Sequence, residues 1–214
     1  MDQGIAERSL LRRSIEFFFP PKVADAAELR QFVAGEAAYL AQKSVIGYCR
    51  VKTLLAFEKL MKEKTFTELM EICRWEAFSM TLADTLIVTE GCLRPADAAA
   101  RQAVSAHLAR LYGEILNEHV PGHRTEGWND RIEAFQARFA LSCQVDPLPP
   151  EHVIRSTAAL ILELAPIHIK LKRNDLEVIA GDLGFNMVAL RTSMGKRFRS
   201  QDLIADLSRL PAAA

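Results

Sequence analysis

The chain has 214 residues, of which 50% are hydrophobic and 25% are charged, and its 27 basic residues balance its 27 acidic residues. This length and composition are typical of a globular protein with a large core. The zero net charge excludes a general attraction to nucleic acid or to anionic membranes, so any such binding would depend on a local patch.

Residues 1–22 predict an amphipathic arm that ends at a pair of prolines. Apolar and basic side chains lie on opposite sides of this segment: Leu11, Ile15, Phe18 and Phe19 on one, Arg8, Arg12 and Arg13 on the other. Such an arm either docks on a membrane surface or packs onto the rest of the protein through its phenylalanines. We favour packing, because Glu16 interrupts the basic side, and we therefore expect no membrane partner.

Residues 24–62 predict one long central helix, around which an all-α fold is organised. Asp25 and Glu28 form a capping-box pattern at its start, and no proline interrupts the rest. A series of residues at intervals of seven forms an apolar seam of coiled-coil type: Val33, Leu40, Gly47, Leu54 and Met61. Glycine costs about 1 kcal/mol relative to alanine in a helix, so we expect a neighbouring backbone to approach Gly47 closely.

Further helices complete a predicted antiparallel bundle over residues 23–145. They cover residues 65–90, 95–118 and 129–143, with glycine or proline near the ends of the first two. The link at Glu63-Lys64 is short, which makes the helix after it the antiparallel neighbour of the central helix. Gly91 is expected to end that second helix.

A charged seam is predicted between these two neighbouring helices. A turn at Glu63-Lys64 sets Lys43 near Asp84, and Arg50 near Glu76 or Ala77, beside the apolar positions. Charges that are partly removed from water must pair. The seam is therefore either a polar pocket for a ligand or a set of structural ion pairs that fixes the helix register, and we favour the structural role.

A proline-rich hinge at residues 146–150 separates a smaller C-terminal helical segment, residues 151–214. Its first helix ends or kinks at Pro166. Residues 167–172 alternate between apolar and polar, which is typical of a strand, although a kinked helix that continues fits equally well.

Within that segment, residues 174–199 resemble a helix-turn-helix motif. Asn174 caps the first helix, Gly184 makes the turn and Asn186 caps the second helix. The second helix is basic, so it predicts contacts with nucleic acid from these residues: Asn186, Arg191, Lys196, Arg197 and Arg199. The alternative is an ordinary helical hairpin with a solvated basic face.

No strong motif for catalysis or for a bound metal is present. The sequence lacks the Gly-x-Ser-x-Gly, Walker and Gly-x-Gly-x-x-Gly patterns. Polar residues gather near the end of the third helix: His107, Glu114, Glu118, His119 and His123. A Pro-Gly pair separates the last two histidines, which excludes the helical i, i+4 ligand pair. We therefore predict no enzymatic activity, no cofactor and no metal.

The cysteines and the first residues bear on where the protein works. The cysteines are scattered without a Cys-x-x-Cys pair, which indicates buried thiols in a reducing compartment: Cys49, Cys73, Cys92 and Cys143. The first residues show no signal peptide, and no apolar run is long enough to cross a bilayer. We therefore expect a cytoplasmic location.

These observations give three hypotheses for function. The leading one is a non-enzymatic interaction or regulatory protein, which binds a protein partner or associates with itself. The second is a DNA-binding transcriptional regulator that uses the helix-turn-helix. The third is a helical bundle that binds a small molecule or lipid at the seam around Lys43 and Asp84.

Overall fold

The structure is a computed structural model that describes residues 21–209, and within this range it contains helices and no strand. The predicted all-α fold is confirmed. Residues 1–20, which form most of the predicted N-terminal arm, lie outside the described residues. The helices are α1 Ala26–Thr53, α2 Phe57–Leu60, α3 Lys64–Leu93, α4 Ala98–Asn117, α5 Asn129–Cys143, α6 Pro150–Val153, α7 Arg155–Leu164, α8 Leu176–Arg197 and α9 Ser200–Arg209. In this range, no helix is long and apolar enough to cross a membrane.

Helix α1 begins as predicted but ends earlier. The Asp25 side chain accepts a hydrogen bond from the Glu28 backbone N–H at 2.8 Å, and Glu28 Oε2 accepts one from the Ala24 N–H at 2.8 Å. The prediction of one helix to residue 62 is wrong, because α1 stops at Thr53. The next residue, Leu54, has φ 45°, outside the helical region, and a 3₁₀ turn over Leu54–Ala56 and the short α2 follow.

This break changes the register between α1 and α3. The two helices are antiparallel neighbours, as predicted, and Thr81 Oγ1 donates a hydrogen bond to the Ala37 carbonyl at 3.0 Å. A turn at residues 63–64 would instead set Ala37 opposite Glu90. The 3₁₀ turn and α2 occupy the residues between α1 and α3. The pairing of α3 with α1 is therefore shifted by more than two helical turns from the predicted pairing.

Two glycines behave differently from the sequence prediction. Gly47 is exposed and nothing lies within 4 Å of a Cβ added there, so the predicted close approach is wrong. Gly91 does not end α3, which continues to Leu93. A Cβ on Gly91 would lie 3.0 Å from Pro147 Cβ, so this glycine lets the link after α5 cross close to α3.

Helix α5 matches its predicted bounds, and the helices after the proline-rich link pack against α1 and α3 in one hydrophobic core. A buried carboxylate joins three helices: Asp84 on α3 lies 2.7 Å from Arg138 Nη2 on α5 and accepts a hydrogen bond from Thr157 on α7. Residues 167–172 are neither a strand nor a continued α-helix, because a 3₁₀ turn covers Ile169–Leu171.

Both ends of the described chain meet beside α1. Val23 pairs with Phe198 in an isolated bridge, with hydrogen bonds from the Val23 N–H to the Arg197 carbonyl and from the Arg199 N–H to the Val23 carbonyl. Helix α9 packs on α4, and its Asp206 accepts a hydrogen bond from the Ala26 N–H at 2.9 Å. A carboxylate in this position is favourable at a helix N-terminus.

Candidate ligand-binding groove

A groove of about 400 Å³ lies between α1, α3 and the end of α4. Helix α1 contributes small side chains there, including Ala34, Ala38 and Ala41, and α3 contributes the larger Trp75 and Phe78. The groove exists because small side chains on one helix face aromatic ones on its neighbour, which leaves space between the two backbones.

Aromatic rings form one side of the groove. The rings of Trp75 and His119 are stacked, with centroids 6.3 Å apart and an interplanar angle of 25°. Trp75 also meets Phe78 edge to face, with centroids 6.0 Å apart. Rings held by one another in this way present a rigid apolar wall, which is the usual lining of a small-molecule site.

Arg74 supplies a polar group beside this wall. Its Nη2 donates a hydrogen bond to Gln42 Oε1 at 3.2 Å, which joins α3 to α1. Its Nε is buried and, within residues 21–209, has no hydrogen-bond partner. Buried polar groups without partners are uncommon in folded proteins, so this N–H marks a position where an acceptor is missing.

Two acidic residues also line the groove. Glu118 Oε1 lies 2.6 Å from Arg30 Nη2, so its charge is offset within the protein. Glu71 is exposed, and solvent screens its charge. The buried part of the groove therefore carries the guanidinium of Arg74 as its main charge.

The loop that carries His119 is anchored to α3 by a buried carboxylate. Glu76 is 5% exposed, and two arginine side chains and one histidine side chain surround it. Arg124 Nε donates to Oε1 at 2.6 Å, Arg131 Nη2 donates to Oε2 at 2.7 Å, and His123 Nε2 lies 3.0 Å from Oε1. Burial disfavours the carboxylate, but the hydrogen bonds from Arg124, Arg131 and His123 outweigh it and lower the pKa of Glu76 to about 2.

Trp128 completes the anchor. It is fully buried, its Nε1 donates a hydrogen bond to the His119 carbonyl at 3.2 Å, and the Arg124 guanidinium lies 4.6 Å from its ring centroid. Gly127, which directly precedes Trp128, has φ 74° and turns the chain toward α5. Glu76 and Trp128 together hold the loop so that the His119 ring stays against Trp75.

The comparisons with known proteins give no family. No family model, curated protein or solved structure matches this chain.

The charged seam predicted from the sequence is wrong. Lys43 is exposed, and its Nζ donates to Asn186 Oδ1 at 2.6 Å rather than approaching Asp84. The guanidinium of Arg50 lies 5.1 Å from the ring centroid of Phe57. The shifted register separates these basic residues from the predicted acids. Glu76 and Asp84 are indeed buried, but their partners are the arginines of the loop and of α5.

The helix-turn-helix prediction is also wrong, because α8 runs without a break from Leu176 to Arg197. Asn174 has φ 57° and lies outside the helix, and no side chain caps the first turn. Gly184 does not form a turn. A Cβ added to it would lie 3.3 Å from Glu151 Cβ, so the glycine allows α6 to pack closely on α8.

The residues predicted to contact nucleic acid have different surroundings. Asn186 is buried inside α8, and its Nδ2 donates to the Asp182 carbonyl at 2.6 Å. Arg197 Nε donates to the Pro21 carbonyl at 3.1 Å, and its guanidinium lies 4.5 Å from the Phe32 ring centroid. Three of the predicted residues are exposed: Arg191, Lys196 and Arg199. Without a turn there is no separate recognition helix for them to belong to.

The polar residues near the end of α4 are held by arginines and aromatic rings. Glu114 and Glu118 both pair with Arg30, at 3.1 Å and 2.6 Å. Burial lowers the pKa of His107. Among residues 21–209, no group of three or more histidine, cysteine or acidic side chains is arranged to hold a metal ion.

Sequence reasoning missed the groove itself. Arg74 and Trp75 fall in the middle of a helix with ordinary periodicity, and nothing in their spacing distinguishes them from core or surface residues. The available signal was Arg74 beside the aromatic residues Trp75 and Phe78, which is too weak to predict a pocket without the opposing alanines of α1.

Proposed function

We propose that this protein binds a small aromatic carboxylate in the groove between α1, α3 and the end of α4. The observation that carries the proposal is that Arg74, which lines the groove, has a buried Nε–H without an acceptor in the described part of the chain. An unpaired buried donor costs about 1 to 3 kcal/mol, so a ligand oxygen at this position has a direct energetic reason to bind.

The shape of the groove favours a flat, apolar ligand body. Its volume of about 400 Å³ lies at the lower end of the range that is usual for small-molecule sites. Trp75 and His119 lie stacked on one side, and a further aromatic ring stacks favourably on such a surface. The alanines opposite them admit a ring without obstruction.

The charge of the groove favours a carboxylate on that body. A guanidinium binds a carboxylate through two parallel N–H groups, and Gln42 occupies a single nitrogen, Nη2, of Arg74. Glu118 is already paired with Arg30. The Nε–H of Arg74 is then available as a donor to a ligand carboxylate.

A matched pair of probes tests the proposal by isothermal titration calorimetry. Indole-3-acetate and the uncharged indole-3-acetamide have the same ring and nearly the same size. We expect the acid to bind about tenfold or more tightly, because hydrogen bonds to charged groups contribute about 1.5 to 3 kcal/mol. Arg74→Gln should remove this preference, whereas Arg199→Gln, which removes the same charge from an exposed position, should keep it.

Two results would reject this function. One is the absence of binding for both probes to the wild-type protein. The other is an unchanged preference for the acid in Arg74→Gln, which would mean that the carboxylate is bound elsewhere.

Among the three hypotheses from the sequence, this proposal corresponds to the third, a helical bundle that binds a small molecule. The proposed site is the groove and not the predicted seam around Lys43 and Asp84. The predictions of a non-enzymatic interaction or regulatory role, of a protein partner and of a cytoplasmic location stay predictions.

A further inference from the structure

The connection between α1 and α3 exposes large apolar side chains at one end of the bundle. Leu55 is fully exposed, Leu54 is 73% exposed and Val51 is 66% exposed. The positive φ of Leu54 ends α1 and carries the connection away from the helix axis. Single exposed apolar residues are ordinary on a protein surface, whereas a cluster at a protruding turn indicates a binding surface.

A second exposed apolar segment lies near the end of α1, where this connection begins. Ile169 is 74% exposed and Leu171 is 52% exposed. The segment is fixed against the end of α1, because Asp175 Oδ2 lies 2.6 Å from Lys52 Nζ and accepts a hydrogen bond from the Tyr48 hydroxyl at 2.8 Å. We call residues 50–64 and 167–173 together the basic tip.

The charge of the basic tip is strongly positive although the whole chain is neutral. The two segments contain eight lysine and arginine residues and two glutamates. Five of these basic residues are exposed and, within residues 21–209, make no ion pair: Arg50, Lys59, Lys62, Lys170 and Arg173. Basic residues next to exposed leucines are the combination that binds anionic lipid surfaces, since the charges attract the headgroups and the apolar side chains enter the interface.

We propose that the basic tip docks this protein on the surface of bilayers that contain anionic lipids, with the side chains of Leu54 and Leu55 inserted at the headgroup boundary. A second copy of the chain is a poorer occupant, because a symmetric contact through the tip would bring two sets of like charges together. The tip is formed by residues other than those of the groove, so the two proposals fail independently.

Co-sedimentation with vesicles tests this proposal on the full chain. We expect binding to vesicles of phosphatidylcholine mixed with phosphatidylserine, little binding to phosphatidylcholine alone, and weaker binding at high salt. Leu54→Gly combined with Leu55→Ser should weaken binding by about tenfold or more, because it removes the inserted side chains. Glycine suits the positive φ of position 54, so this variant should stay folded.

Matched controls separate the tip from other surfaces. Leu141→Gln combined with Val188→Gln removes two exposed apolar side chains, 66% and 43% exposed, away from the tip, and should leave binding unchanged. Lys59→Gln combined with Lys62→Gln should weaken binding to the anionic vesicles and reduce its salt dependence.

Several outcomes would overturn the proposal. Absence of binding to the anionic vesicles would do so, as would binding that survives both sets of tip substitutions, since another part of the chain would then be responsible. Self-association in sedimentation velocity that Leu55→Ser abolishes, without vesicle binding by the wild-type protein, would assign the tip to a dimer contact.

Discussion

The substitution Glu76→Gln tests whether one buried carboxylate holds the loop between α4 and α5. Glutamine keeps the shape of the side chain but removes the negative charge that faces Arg124, Arg131 and His123. The pKa of Glu76 falls from 4.5 to about 2 in the folded protein. Since one pKa unit corresponds to about 1.4 kcal/mol, this shift represents about 3 kcal/mol of folding free energy at neutral pH.

The same shift fixes the pH dependence. The folded-state pKa of Glu76 is depressed, so its stabilising contribution is fully present above the unfolded value of 4.5 and is lost as the pH falls toward 2. The difference in unfolding free energy between wild type and Glu76→Gln should therefore be about 3 kcal/mol at neutral pH. It should shrink progressively below pH 4.5. The difference isolates Glu76, because the other titrating groups are common to both proteins.

Urea unfolding followed by far-ultraviolet circular dichroism measures both effects. Glu68→Gln is the matched control, because Glu68 lies on the same helix and forms an exposed i, i+4 pair with Lys64 at 3.7 Å. That change should cost less than about 0.5 kcal/mol. A loss below about 1 kcal/mol for Glu76→Gln, or a difference that stays constant as the pH is lowered, would refute the role assigned to Glu76.

Three further changes have defined expectations, each measured as a change in unfolding free energy. Asp84→Ala should destabilise the fold by about 3 kcal/mol. In double-mutant cycles, the coupling energy between Asp84→Ala and Arg138→Ala should exceed about 1 kcal/mol, and the coupling energy with Lys43→Ala should be zero. A measurable coupling to Lys43 would support the ion pair predicted from the sequence. Leu54→Gly should stabilise by about 1 kcal/mol, because it relieves the positive φ, and a loss of stability would count against that strain. Gly47→Ala should stabilise by up to about 1 kcal/mol, unless a neighbour does approach this position.

Local sequence signals predicted the parts of the fold that depend on local chemistry. The start of α1 follows from the hydrogen bond between Asp25 and the backbone of Glu28, which are three residues apart. Helix α5 follows from its own apolar period and the polar loop before it, and its bounds are as predicted. These features require no knowledge of the rest of the chain.

Signals that depend on distant packing failed. Leucine rarely adopts positive φ, so nothing at Leu54 announces the end of α1, and this single break shifted every pairing predicted across the seam. Gly184 looks like a turn, but it lies inside the continuous helix α8, where the absence of a side chain leaves room for α6. The partners of Glu76 lie 47 to 55 residues away along the chain, which no spacing rule reaches.

The capping of α1 by Asp206 sets the order in which the chain can complete its structure. The two hydrogen-bonded residues are 180 positions apart, so at roughly 5 to 20 residues per second a ribosome needs roughly 10 to 40 s to reach Asp206 after it has added Ala26. During that interval α1 can pair with α3, which is synthesised directly after it. Helix α1, the first long helix within residues 21–209, is therefore one of the last to gain all its contacts, and synthesis that pauses before α9 leaves the Ala26 N–H without its acceptor.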